Sequence, residues 1–195
     1  MNVKRQSITV EELLRRYAAG ERNFSAIEFS YSDKGLRGCN LSGINLSGSK
    51  IEVYMADVNL SGADLNGVYM PETILSRSNL SRANLSNAIS WQCSFDDANL
   101  SGANLSGADL GMSNFLRANL RSANLSGARL ENTGFRGADL SGANFSNTIF
   151  ARVSFYGANL TGANLDGVEF RRVSFQNTIM PDGSIRDGSI GDESC

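Results

Sequence analysis

The sequence predicts an all-β solenoid: a right-handed quadrilateral parallel β-helix of five-residue units, about seven coils long, with an α-helical cap at its N-terminal end. Three observations predict it. From Met55 to Met180 a large apolar residue falls on almost every fifth position, Ser90 being the one lapse. Two residues before each centre stands a smaller one, such as Ala63, Ala98, Ala103, Thr133 or Val153. The pentads themselves recur in groups of four. Neither the helical nor the strand period accommodates a strict five. Five fits if each pentad is one short side of a squared coil, with the large residue and the small one pointing inward.

The grouping into four is read from the sides themselves. Pentads centred at 60, 80, 100, 120, 140 and 160 run VNLSG, SNLSR, ANLSG, ANLRS, ADLSG and ANLTG, and those centred five residues later are as uniform. The other two classes diverge, through VYMPE, AISWQ, ADLGM and ARLEN in one and TILSR, CSFDD, SNFLR and TGFRG in the other. Two plain sides and two varied sides make one lap. The order survives upstream, where the centre steps from Ile51 to Met55 and the unit is one residue short. At the usual strand spacing of ~4.8 Å per rung the rod is about 34 Å long. Right-handed winding follows from the hand of parallel crossovers.

The ends divide the rest of the chain. Residues 1–8 are expected to be a flexible N-terminus, and 9–23 a capping helix and linker. In that segment Thr9 and Glu12 form a capping box, Val10, Leu13, Leu14, Tyr17 and Ala18 make one apolar stripe, and Gly20 stops the helix. Residues 24–181 form the coil. Pro181-Asp182-Gly183 breaks the pattern, and 182–195 reads as a polar tail without fixed structure. That leaves the C-terminal end of the coil uncapped, a place where two rods would join as a homodimer.

Composition excludes several classes of function. Lys and Arg total 18 against 20 Asp and Glu, too even a balance for binding driven by nucleic-acid phosphates. No apolar run is long enough to span a bilayer, and MNVKRQSITVEELL lacks the apolar stretch of a secretory signal. There is no histidine, and Cys39, Cys93 and Cys195 lie far apart without metal-binding spacing. The expectation is a cytoplasmic protein with reduced thiols, no cofactor and no catalytic activity.

The repeated A-[DN]-L-x-x unit over about residues 24–180 resembles the pentapeptide-repeat family. The resemblance implies the right-handed four-sided helix, and it assigns the inward positions to Leu60, Leu65, Ala63, Ala98 and their equivalents. Residues 12–24 (ELLRRYAAGERNF) and 179–185 (IMPDGSI) are similar to a cyanobacterial branch that includes a regulator of heterocyst differentiation. That branch implies a non-enzymatic scaffold acting through protein contacts. The quinolone-resistance branch implies an alternative, a DNA-mimicking inhibitor of a type II topoisomerase. Residues 36–180 carry eleven acids and eleven bases, which suits that alternative poorly. A structural protein without a dedicated partner is the third reading.

Any partner site falls on the varied sides. Ile89, Trp91, Met112 and Leu116 lie on adjacent rungs there, with Ile149 and Tyr156 further along, and Arg152, Arg171 and Arg172 form a basic cluster towards the C-terminal end. Trp91 reads either as an interface anchor or as a cover over the missing inward residue at Ser90. Charged columns such as Arg77, Asp97 and Arg117, or Asp109 beside Arg129, are expected to pair with each other across rungs.

Overall fold

A wall one strand thick must find an acceptor for each of the five backbone N–H groups on every side. In the computed structural model, which describes residues 5–29 and 35–191, the pentad 99–103 shows how. Leu100 and Gly102 donate to the carbonyls of Asn119 and Arg121 one lap on (2.7 and 2.9 Å), and Asn99 donates to Ser78 one lap back (2.9 Å). Ala103 donates across the corner to Leu100 (3.0 Å). The remaining amide, of Ser101, donates to Oδ1 of Asn99 (3.1 Å). An Asn or Asp before each centre of the plain sides therefore stands on the flat of the side and closes the corner with its side chain. The same amides also tie neighbouring laps together. Nδ2 of Asn104 donates to Asn84, that of Asn124 to Asn104, and that of Asn144 to Asn124, at 3.2–3.3 Å.

In chain order the named elements are β1 (Gln6–Ile8), α1 (Val10–Ala18), β2 (Ile27–Phe29), β3 (Arg129–Glu131), β4 (Ile149–Ala151), β5 (Glu169–Arg171), β6 (Val173–Ile179) and β7 (Ile185–Ile190). Between β2 and β3 the wall is held by single parallel bridges. Asn79 pairs with Asn99, Asn84 with Asn104, Ile89 with Asp109 and Ser94 with Asn114, so four sides make a lap of twenty residues. Across the shortened unit the lap is nineteen, as in Asn40–Asn59, Asn45–Asp64 and Lys50–Tyr69, and the four-sided order is kept. On one varied side the bridges extend into β3, β4 and β5, stacked in parallel.

Both ends differ from the sequence reading. Residues 6–8, expected to be flexible, form β1 and pair in parallel with β2. Part of the 182–195 tail is also ordered. Asp182 turns the chain by accepting from the amide of Ser184 (2.9 Å), and β7 then runs antiparallel to β6. Arg186 lies over the ring of Phe175 (5.0 Å), so this end carries a hairpin of its own rather than an uncapped edge. Residues 1–4, 30–34 and 192–195 of the expected segments lie outside the described residues. At the N-terminal end Thr9 accepts from the amide of Glu12 (3.0 Å), and α1 buries Val10 and Leu13 against the first coil.

The interior is built as the periodicity requires. Leu60, Leu80, Leu100, Leu120 and Leu140 are fully buried, and so are Ala103, Ala123 and Ala143 beside them. Phe95, Phe115, Phe135, Phe155 and Phe175 form one continuous stack along the axis, with centroid spacings of 4.7, 5.0, 5.4 and 5.7 Å. Where the small inward residue is Ser or Thr, its hydroxyl commonly donates to a carbonyl of the lap below, as Ser113 does to Ser90 (2.9 Å), Thr133 to Leu110 (3.1 Å) and Thr148 to Leu125 (3.1 Å); Thr73 instead donates to Pro71 on its own lap (3.2 Å). Ser90 is unlike these. It stands at a centre, fully buried, and its Oγ has no hydrogen-bond partner. An unsatisfied buried hydroxyl is costly, so Ser90→Ala is expected to stabilise the rod by about 1 kcal/mol in chemical denaturation.

Candidate functional site

Trp91 follows Ser90 directly, and successive residues of an extended segment face opposite ways, so the indole stands outside the wall while Ser90 is inside it. Its neighbours in the same outward column are Pro71 one lap below and Gly111 one lap above. Neither projects far, and the ring is left as a ridge with a groove on each side. On the Gly111 side the groove is lined by Trp91, Met112 and a charged rim of Asp109, Arg129 and Glu131, with a volume of about 520 Å³. On the Pro71 side a groove of about 410 Å³ is lined by Trp91, Tyr69, Tyr54, Ile74 and two acids, Glu52 and Glu72. Trp91 and Met112, which the sequence places on adjacent rungs, thus share a groove. Tyr54, Tyr69, Pro71, Glu72 and Gly111 complete the two grooves, and the sequence reading had singled out none of them.

The remaining candidates are distributed elsewhere. Ile89 is exposed in the bridge column between Tyr69 and Asp109. Leu116 and Tyr156 meet on the other varied side, in a shallow hollow with Arg117 and Arg136, and Arg136 lies over the Tyr156 ring (5.0 Å). Ile149 is exposed beside Arg171 and Arg129. The basic cluster is largely compensated, because Arg152 pairs with Glu131 (3.2 Å) and Arg171 with Glu169 (2.6 Å). Among the described residues no ion pair is formed by Arg172.

Charged columns pair across rungs. Arg77 reaches down to Asp57 (2.6 Å), Arg117 to Asp97 (2.7 Å) and Arg129 to Asp109 (3.4 Å). The guanidinium of Arg117 holds the Asp97 carboxyl below the usual carboxylate range, and Arg77 does the same for Asp57. These exposed pairs are balanced and contribute little individually. Cys93 points inward and donates to Met70 (3.1 Å), and burial pushes its thiol up to about 12, so it is no nucleophile at neutral pH.

The corners distinguish the sides most sharply. The second residue after each centre has a left-handed backbone, which glycine adopts without cost. On the plain sides glycine fills most of these slots, as at Gly62, Gly67, Gly102, Gly107 and Gly142, with Arg82, Asn87, Ser122 and Asn147 as the exceptions. On the Trp91 side it holds Glu72 (φ 56°), Gln92 (56°), Met112 (57°), Arg152 (56°) and Arg172 (55°). Each such side chain costs the fold roughly 1 kcal/mol relative to an unstrained backbone. Met112 is 53% exposed and so recovers little of that by packing.

The model of the family described as pentapeptide repeats matches residues 54–89, 98–137, 113–151 and 138–177, in eight copies, over more than half of the chain. The chain belongs to the pentapeptide-repeat family. Among solved pentapeptide-repeat structures it is similar to QnrB1, a plasmid-mediated fluoroquinolone resistance protein, with 18% identity, TM-score 0.53, and coverage of 83% of this chain and 79% of that one. That likeness establishes the shared right-handed β-helix. It is also similar to HetL, a pentapeptide-repeat protein involved in heterocyst differentiation regulation in the cyanobacterium Nostoc, at 28% identity, covering 92% of this chain and 100% of HetL with TM-score 0.29. Rfr23 of the cyanobacterium Cyanothece is 27% identical, over 86% of this chain and 96% of that one, with TM-score 0.32. No curated protein is recognisably similar in sequence. No helix among the described residues is long and apolar enough to cross a membrane.

Proposed function

We propose that this pentapeptide-repeat protein is a non-enzymatic cytoplasmic scaffold of about seven coils, capped by α1, that presents its Trp91 side to a protein partner. One observation carries the reading: that side fills the left-handed corners with Glu72, Gln92 and Met112 and nowhere with glycine, at a cost in backbone strain that most plain-side corners avoid. A fold selected only for stability has no use for an exposed methionine in a left-handed corner beside a partly buried tryptophan. A regulatory role in cyanobacterial cell differentiation rests on the resemblance of residues 12–24 and 179–185 to that branch. A homodimer at the C-terminal end would pair through the outer edge of β7.

The test is a cross-linking pull-down from the native cell, read by mass spectrometry. Trp91→Ala combined with Met112→Ala is expected to leave the far-ultraviolet spectrum unchanged and to lose the partner, since such anchors each contribute about 2 kcal/mol or more to an interface. A partner retained by the double variant overturns the assignment. The topoisomerase-inhibitor reading is not favoured, because the acids that would imitate duplex phosphates are matched by bases and pair with them, as in Asp97–Arg117 and Asp57–Arg77.

A further inference from the structure

Two grooves meet at one indole, and their chemistry differs. In the groove on the Pro71 side the walls are aromatic and the charge is negative. Tyr54, 49% exposed, Tyr69 and Trp91 present rings, and Glu52 and Glu72 present carboxylates. Glu52 is engaged by Lys50 (2.9 Å). Glu72 forms no ion pair among the described residues, so the groove keeps a net negative charge. Its place is fixed: the Glu72 amide donates to the carbonyl of Trp91 (2.9 Å), and its left-handed corner holds it at the mouth of the groove. Ring faces and a carboxylate attract the same species, a cation with a flat or compact head.

Across the ridge the chemistry reverses. There Arg129 is shared between Asp109 (3.4 Å) and Glu131 (2.9 Å), and Arg152 also pairs with Glu131 (3.2 Å), so two cations balance two acids and the rim is neutralised. What is left exposed is Met112, above a floor at Gly111 that carries no side chain and is itself buried. Gly111 has an ordinary backbone, and the nearest atoms to a Cβ there are the Asp109 carboxylate (3.4 Å) and the Glu131 carbonyl (3.6 Å). The missing side chain is thus not demanded by the fold, and its absence opens the notch.

We propose that the Pro71-side groove receives an arginine or lysine side chain of the partner protein, while the Gly111 notch receives an apolar side chain of the same segment. The inference rests on the scaffold reading above and specifies its partner. The two grooves are centred about two rungs apart, about 10 Å, which an extended segment covers in about three residues. An acidic segment or a nucleic-acid backbone would meet Glu72 unfavourably.

Trp91 is the only tryptophan in the chain, so its emission reports on this ridge alone. The probes are acetyl-Leu-Gly-Gly-Arg-amide and its counterpart with citrulline, which keeps the shape of arginine and removes the charge. The arginine peptide is expected to change the emission saturably and to bind about tenfold more tightly than the citrulline peptide. Glu72→Gln is expected to reduce that ratio to about threefold, and Gly111→Leu to weaken both peptides by filling the notch. Equal binding of the two peptides, or an emission that neither changes, overturns the proposal. The pull-down separates the two readings. Loss of the partner in the Trp91/Met112 double variant, together with full retention in Glu72→Gln, overturns the cation site and leaves the scaffold standing. Retention in both overturns both.

Discussion

Phe135→Ala is expected to cost roughly 3–5 kcal/mol and to lower the thermal midpoint by roughly 10 °C, followed by circular dichroism. The ring is fully buried and is held on both faces, by Phe115 (5.0 Å, 17° between planes) and by Phe155 (5.4 Å, 7°), with Phe145 edge-on at 6.2 Å. Its removal leaves a cavity in the middle of the stack that the wall cannot close. Each lap is pinned to its neighbours by hydrogen bonds, such as those from Phe135 to Ser154 (2.8 Å) and from Phe115 to Gly134 (2.8 Å), which fix the spacing of the rungs. In a solenoid each coil is stabilised by the two beside it, so a weak centre also uncouples the halves. Phe175 makes the comparison. It stacks on one ring, Phe155 (5.7 Å), and is covered on the outside by Arg186. Phe175→Ala is therefore expected to cost less than Phe135→Ala, and an equal or larger loss would contradict the nearest-neighbour account.

The same nearest-neighbour logic explains what the sequence makes legible. Inward positions recur at fixed spacing because four large side chains meet in a narrow interior, and any departure is visible, as Ser90 is. The Phe stack could be read from five successive centres. The Asn ladder is visible in the sequence, as is the suitability of such side chains for tight turns, but the particular bond, accepting the amide of the second residue on, appears only with the backbone in place. β7 escaped notice for a related reason. SIRDGSI has no apolar alternation to mark it. It is ordered by backbone pairing with β6 and by Asp187, whose carboxylate accepts the amide of Asn177 (2.7 Å) across the bulge. At the surface, Trp91 and Met112 stood out as large apolar residues at outward positions. Tyr54 did not, because it lies in the shortened unit, where the rule of twenty fails to place it. Glu72 did not either, because a lone acid on a turn is ordinary. Its signal lay elsewhere, in occupying a corner that the plain sides mostly give to glycine.

That signal leads to an expectation of opposite sign for one residue. Met112→Gly should make the rod more stable by about 1 kcal/mol, raising the thermal midpoint by about 2–4 °C. The replacement relaxes a φ of 57° that only glycine adopts freely, and it removes a side chain whose exposure leaves little packing to lose. The added freedom of glycine in the unfolded chain offsets part of the gain but not all of it. The same variant should bind the partner less tightly, by about 2 kcal/mol if Met112 is an anchor beside Trp91. Stability and affinity then move in opposite directions through a single side chain, which is the mark of a residue kept for contact rather than for folding. Gln92→Gly supplies the control. It relieves a comparable strain (φ 56°) one lap below and lines neither groove, so it should gain stability without loss of binding. A Met112→Gly protein that is less stable than the parent would show that the methionine closes the corner by packing, and the argument from the glycine slots would fail with it.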